Sequence, residues 1–343
     1  MKYILIDTLN LAFRCRHQAR GDIDMQIGMA FHIILNSVKK MATDFGADHI
    51  VFCFDSSSWR KQYHPQYKMN RKALQLKKTQ REVEDDNLFF EAISNFHAFL
   101  EEKTNCTVLK GDNLEADDLI SFWIDLHPND SNLIISSDSD FVQLLSNENV
   151  ALYNGLEKKY ITKHGIQNEK GKTHEFIIKS DSKIKIGKVN ESFQPEEDWH
   201  EWAKFLKLVR GDSGDNVFPA YPGARVKGTK NKIGVRDAFD DRVSRGYNWN
   251  NFMLQRWVDE NETEHMVKDK FHENTTLIDL TAQPDNIKEY GYQIISEALA
   301  RKQIHNSNIG IYFMKFCSQW DLNRISSQPK QYAQLFSKPY QIS

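Results

Sequence analysis

The sequence predicts an α/β protein, a mainly parallel central sheet flanked by helices, with a helical C-terminal region. Apolar runs at Tyr3 to Ile6, His49 to Phe54 and Asn132 to Ile135 read as buried strands, each ending where an acidic residue begins. Between the first two, Ile27, Phe31, Ile34, Leu35 and Val38 recur at helical spacing, so strand, helix and strand alternate. Such an alternation builds a right-handed, mainly parallel sheet.

The remaining elements follow in chain order. Phe89, Ile93, Phe96, Phe99 and Leu100 mark an amphipathic helix, and Leu114 to Trp123 mark another that begins inside Glu115-Ala116-Asp117-Asp118. Carboxylates in a first helical turn are favoured by the helix dipole. Residues 150 to 190 change character: alternation in Lys183-Ile184-Lys185-Ile186 reads as short antiparallel strands. From Trp199 the pattern is helical. The expected division is an α/β domain over 1–190, containing a basic segment over 56–88, and a mainly helical region over 191–343.

A chain of 343 residues with 40% hydrophobic content can bury a sizeable core. Its net charge of −2 hides a segregation of charge. From Ser56 to Arg81 there are eight Lys/Arg and no acid, and from Asn216 to Arg236 five Lys/Arg and no acid. Basic flanks around an acidic centre suit a metal site that handles a polyanion. The four cysteines, Cys15, Cys53, Cys106 and Cys317, form no C-x-x-C pair, so neither a zinc ribbon nor a disulfide framework is indicated. The apolar stretch before Asp7 is too short for a signal-peptide core, and no run approaches a membrane span. A cytoplasmic monomer is expected.

Nine carboxylates carry the chemistry: Asp7, Asp55, Glu115, Asp117, Asp118, Asp138, Asp140, Asp212 and Asp215. Several follow predicted strands, and doubly wound sheets bind ligands beyond the carboxyl ends of their strands. Like charges packed together must either take up protons or gather cations. Oxygen ligands without His or Cys favour Mg²⁺ or Mn²⁺ over zinc. Taken singly, each cluster has a plainer explanation: Asp138 as a helix N-cap, Asp117 and Asp118 as a solvated helix start, Asp212 and Asp215 as an Asx turn. Their joint occurrence argues for a metal centre.

The ordered set Asp7, Asp55, Tyr67-Lys68-x-x-Arg71, Glu115-Ala-Asp117-Asp118, Ser137-Asp138-x-Asp140 and Gly211-Asp212-x-x-Asp215-Asn216 resembles the flap endonuclease and 5′→3′ exonuclease superfamily, especially its phage-encoded ribonuclease H type. The resemblance covers residues 1 to about 290. It implies a PIN-like 5′ nuclease fold and two-metal hydrolysis of phosphodiesters, removing RNA primers and 5′ flaps during DNA replication. Two Mg²⁺ ions are implied, with Mn²⁺ as a substitute. One would be held by Asp7, Asp55, Glu115, Asp117 and Asp138, the other nearer Asp140, Asp212 and Asp215, with Asp118 able to serve either. Implied partners are 5′-flap or forked DNA and RNA:DNA duplexes, with a single-strand-binding protein and a sliding clamp as candidates. Gln334-Leu335-Phe336 faintly resembles a clamp-binding peptide.

By the same resemblance the basic segment is a helical arch, with Lys68 and Arg71 near the scissile phosphate. Arg60, Lys61, Tyr67, Lys72, Lys77, Lys78 and Arg81 are its expected nucleic-acid contacts, where cations meet phosphates and aromatic faces stack bases. A helix-turn-helix-like element over about 204–240 would hold duplex through Arg225, Lys227, Lys230 and Lys232, although its glycines are spaced more widely than in the family. A PIN-type ribonuclease would be shorter and lack the basic segment. A non-catalytic branched-DNA-binding protein would lack one or more of the acids.

Overall fold

The computed structural model describes residues 1–18, 21–179, 181–222, 233–259 and 261–341. Its main sheet begins with five parallel strands: β1 (Lys2–Asp7), β2 (His49–Cys53), β3 (Thr107–Leu109), β4 (Ser131–Ile135) and β5 (Val150–Asn154). They lie in the order β3-β2-β1-β4-β5. Four antiparallel strands extend the sheet beyond β5: β6 (Lys159–Thr162), β7 (Gly165–Asn168), β8 (Thr173–Ile178) and β9 (Ile184–Val189).

Strand patterning explains the difference between the two halves of the sheet. In β1, Tyr3, Leu5, Ile4 and Ile6 are all inaccessible, as expected of a strand with helices on both faces. In the outer strands one face alone is covered: Phe176, Ile178, Ile184 and Ile186 lean on the core, while the paired Ile177 and Lys185 are exposed. β3 has only three residues, too few for periodicity to reveal.

Helix ends are chemically marked. The helix Ile23–Phe45 starts at Asp22, whose carboxylate accepts from the Met25 amide at 3.0 Å, and stops at Gly46, left-handed at φ 67°. The helix Gln80–Lys103 opens with a reciprocal Thr79/Glu82 capping box. These helices cover one sheet face, where Phe31, Phe96 and Phe99 meet Phe313, Phe316 and Phe336 from the C-terminal helices. On the other face Leu119, Phe122, Trp123 and Phe141 pack with Trp199 and Ile295. There the helix Asp285–Leu299 approaches so closely that a Cβ at Gly291 would lie 2.1 Å from the Phe122 ring. Both clusters thus join residues from either side of position 190.

A third cluster, Phe205, Val209, Phe239, Phe252 and Trp257, organises the helices between 199 and 278. The two-stranded hairpin Arg256–Val258/Glu264–Met266 interrupts a region that the sequence predicts as mainly helical. Gln334-Leu335-Phe336 belongs to the first cluster: Leu335 and Phe336 are buried, and the Phe336 carbonyl accepts from the Asn105 amide at 2.8 Å. That corrects the clamp-peptide expectation, because the apolar side chains such a peptide would present are core. Among the described residues no helix is long and apolar enough to cross a membrane.

The sheet order reverses between β1 and β4. The crevice beyond their carboxyl ends is the usual ligand site of such sheets.

Candidate active site

Asp7 closes β1, Asp55 lies two residues beyond β2, and Asp138 follows β4 and caps the 3₁₀ helix Ser139–Ser146. Glu115 is the N-cap of the helix Ala116–Leu126, which places Asp117 in its first turn. Asp212 and Asp215 come from the turn after the helix Trp199–Arg210. Gly211 enters that turn at φ 71°, with the Val217 carbonyl 2.4 Å from where a Cβ would sit, so no side chain fits there. Asp7, Asp55, Glu115, Asp117, Asp138, Asp140, Asp212 and Asp215 line one cleft of about 650 Å³.

Each carboxylate is aimed by a partner. Ser136 Oγ donates to Asp7 at 2.8 Å, the Ala116 amide to Asp55 at 3.0 Å, and the Asp140 amide to Asp138 at 2.9 Å. Glu115 accepts from Ser58 Oγ at 2.5 Å and from Arg60 Nη1 at 2.9 Å, and it also pairs with Lys68. Asp215 accepts from Tyr67 OH at 3.1 Å and Arg71 at 2.5 Å. Lys68 has left-handed backbone, φ 56°, held by its amide donating to the Asp215 carbonyl at 2.8 Å. Strain of this kind persists where the surroundings fix it.

Electrostatics divides the cleft. Burial raises Asp7 to about 8, with Asp55 and Asp138 adding to it. Desolvation and the charge of Asp140 raise Asp138 to about 7. Burial also raises Asp55 and Asp117. Glu115 behaves oppositely: burial would raise it, but Lys68 and Arg60 outweigh that and bring it down to about 2.

These shifts set a pH dependence. Asp7 and Asp138 have folded-state values above those of an unfolded carboxylate, so the folded state binds more protons in between and stability falls as pH rises. In chelator, these two groups are expected to lower the melting temperature between about pH 4 and about pH 8, and the drop should be smaller in Asp7→Asn. A profile in which Asp7→Asn tracks the wild type would count against the buried, protonated Asp7.

Asp118 does not join the others in the cleft. Its oxygens come within 4.8 Å of those of Glu115 and Asp117, but both are already engaged. Arg60 grips them at 2.9 and 3.0 Å, Trp59 Nε1 donates at 3.1 Å and Gln283 at 3.3 Å. Asp118 thus anchors a buried ion pair, while its oxygens lie within reach of a cation shared with Glu115 and Asp117. Arg60, 1% exposed, is corrected from nucleic-acid contact: a guanidinium closed in by Glu115, Asp118 and the Leu277 carbonyl has no face left for a phosphate. Tyr67 is 3% exposed and directed at Glu115 and Asp215, so its ring is not a platform for bases. Trp59 is likewise buried.

The other basic residues are placed differently. Lys61, Lys68 and Arg71 line the cleft, and Lys72, Lys77, Lys78 and Arg81 are exposed along the helix Met69–Gln75 and the segment that follows it. Lys78 pairs with Asp86 at 2.5 Å. Arg225, Lys227, Lys230 and Lys232 lie outside the described residues. Two side chains that sequence reasoning did not single out complete the cleft. Lys207 bridges Asp140 and Asp212, 2.7 Å from the latter. Arg14 lines the cleft itself, with its Nη1 buried and without a hydrogen-bond partner among the described residues. A cation on the amphipathic helix leading into Gly211-Asp212 was the available signal for Lys207.

The donor set fits divalent cations. Eight carboxylates and no His or Cys line the cleft, against the cations Arg14, Lys61, Lys68 and Arg71, with Lys207 beside them. That leaves surplus negative charge on oxygen donors, the preference of a hard ion.

The family described as 5′-3′ exonuclease, N-terminal resolvase-like domain, matches residues 2–171. Ribonuclease H of Enterobacteria phage T4 is 27% identical over 309 residues, spanning 85% of this chain and 84% of the relative. Flap endonuclease Xni of Psychromonas ingrahamii is 27% identical over 177 residues, 49% of this chain and 62% of that relative. Among solved structures, the bacteriophage T5 flap endonuclease in a pseudo-enzyme-product complex with DNA and metal ions aligns with a TM-score of 0.53 at 18% identity, covering 87% of this chain and 99% of that one. A zinc-bound T5 5′-exonuclease aligns at 0.55 and 17% identity, over 87% of this chain and 99% of that one. These structural likenesses are likenesses of fold. Fold and cleft define a nuclease that hydrolyses phosphodiester bonds. The chain belongs to the flap endonuclease and 5′-3′ exonuclease family.

Proposed function

We propose that this nuclease is Mg²⁺-dependent, acts with two ions, and removes RNA primers and 5′ flaps by cutting near the junction of single strand and duplex. The observation that carries the reading is the convergence of eight carboxylates on one cleft bordered by Lys61, Lys68 and Arg71. Asp7, Asp55, Glu115, Asp117 and Asp138 would hold one ion, and Asp140, Asp212 and Asp215 the other. Divalent cations held there supply Lewis acidity and offset charge on the phosphate.

The protein's own groups supply position. Lys68, fixed between Glu115 and Asp215, offers its ammonium to a phosphate oxygen entering the cleft, and Arg71 offers a second donor from the rim. The exposed Lys72, Lys77 and Arg81, which form no ion pair among the described residues, hold the strand upstream. Single-strand-binding protein and sliding clamp are its proposed replication partners, the clamp through a surface other than the buried Gln334-Leu335-Phe336.

A 5′-flap duplex labelled at its 3′ end tests the reading in Mg²⁺ and in EDTA. Metal-dependent cuts near the junction are expected; binding without cleavage in any divalent metal would overturn it. Within the same assay, Lys68→Ala should slow single-turnover cleavage at saturating DNA by about a hundredfold. Lys77→Ala should instead weaken binding and lower its salt slope by about 0.9, with Lys78→Ala doing less because Asp86 already neutralises it. Equal effects from all three variants would point to a diffuse charge patch.

A further inference from the structure

The antiparallel extension of the sheet is unusually basic. Residues 158 to 190 contain nine lysines against Glu169, Glu175 and Asp181. The strand directions sort these lysines by end. β5 ends beside the cleft, where Leu156 of the following turn forms part of its wall. Because β6 to β9 alternate in direction, the start of β6, the turn from β7 to β8 and the end of β9 all return to that end. They bring Lys158, Lys170, Lys172 and Lys188 to the same rim of the sheet.

At the far end Lys163 is paired with Glu148 at 3.2 Å and Lys183 with Asp181 at 3.8 Å, while Lys179 makes no ion pair among the described residues. At the cleft end, among the described residues, Lys158, Lys170 and Lys188 make no ion pair, and Lys172 has only Glu191 at 3.8 Å. The acids of that rim are Glu157, Glu169 and Glu191; Glu169 is engaged by Lys40 at 2.9 Å and by Tyr153 OH at 2.8 Å, and Glu157 makes no ion pair among the described residues. Lysines also protect sheet edges from pairing with other chains. That accounts for Lys185 and Lys188 on the edge strand β9, but not for Lys158, Lys170 and Lys172, which sit at interior turns.

We propose that this rim is a phosphate-binding track that continues the cleft's hold on nucleic acid. The inference rests on the nuclease reading above and adds a binding surface to it. From β5 to β9 the rim runs four strand spacings, roughly 19 Å, matching about five or six phosphates along one strand. β8 and β9 lie beyond the segment that the family match covers.

The test uses the full-length protein and a 5′-flap duplex in EDTA, with affinity measured across a salt series. The quadruple variant Lys158→Gln, Lys170→Gln, Lys172→Gln and Lys188→Gln should bind at least tenfold more weakly at low salt, with a slope shallower by about 2 to 3.6. Its single-turnover cleavage in Mg²⁺ at saturating DNA should match the wild type. The double variant Lys158→Gln/Lys170→Gln leaves the edge strand untouched, and its slope should be shallower by about 1 to 1.8. Wild-type affinity and slope in both variants would overturn the track and leave the nuclease intact. Failure of the wild type itself to bind or cut would instead fall on the functional reading.

Discussion

Asp138→Asn is expected to reduce flap cleavage at least about a thousandfold, the equivalent of several kcal/mol of lost transition-state stabilisation. The Kd for the flap duplex in EDTA should stay within about threefold of wild type, since the protein's phosphate contacts lie elsewhere. The substitution separates two roles of the residue. Asp138 caps the 3₁₀ helix by accepting from the Asp140 amide, and asparagine caps about as well, so the turn keeps its geometry. Only the charge is removed from the cleft. Near-normal turnover by the variant would reduce Asp138 to a helix cap and sink its assignment to the metal centre.

Arg60→Ala is expected to cost about 3–5 kcal/mol of stability in urea denaturation, because it strands carboxylates in a site sealed from water. Arg60 satisfies Glu115 and Asp118 simultaneously and ties the root of the basic segment to the Leu277 carbonyl. Replacing both partners, as in Arg60→Met with Asp118→Leu, should recover part of the loss by removing the unpaired charge. A loss below about 1 kcal/mol from Arg60→Ala would mean that the pair behaves as a surface salt bridge.

The sequence made β1, β2 and β4 legible because strands covered on both faces are continuous apolar runs, and each was followed by its acid. The helices over 23–45 and 80–103 were legible from periodicity, with bounds later set by Asp22, Gly46 and Thr79. Arg60 was not legible. In the sequence it is one cation among eight, and its burial depends on Asp118 and Leu277, residues far along the chain that only the fold brings together. The ion pair of Asp118 is hidden for the same reason, since spacing places it at the helix end beside Glu115 but cannot reveal that Arg60 faces it. Tyr67 likewise has the composition of a base-stacking residue and the surroundings of a core one. Lys207 sits in a helix that the sequence announced, yet its contacts come from two different acidic clusters.

The helices Asn306–Gln319, Asn323–Ser326 and Pro329–Phe336 complete the first hydrophobic cluster, and Tyr332 OH donates to Asn36 across 296 residues at 2.8 Å. The aromatic surface of Phe31, Phe96 and Phe99 is therefore completed only by residues that follow all of the cleft's acids in the chain. Long-range closure of this kind is slow and exposes sticky intermediates. A chain cut before the helix Asn306–Gln319 would keep every acid of the cleft and lose part of the packing that holds their strands and helices in register.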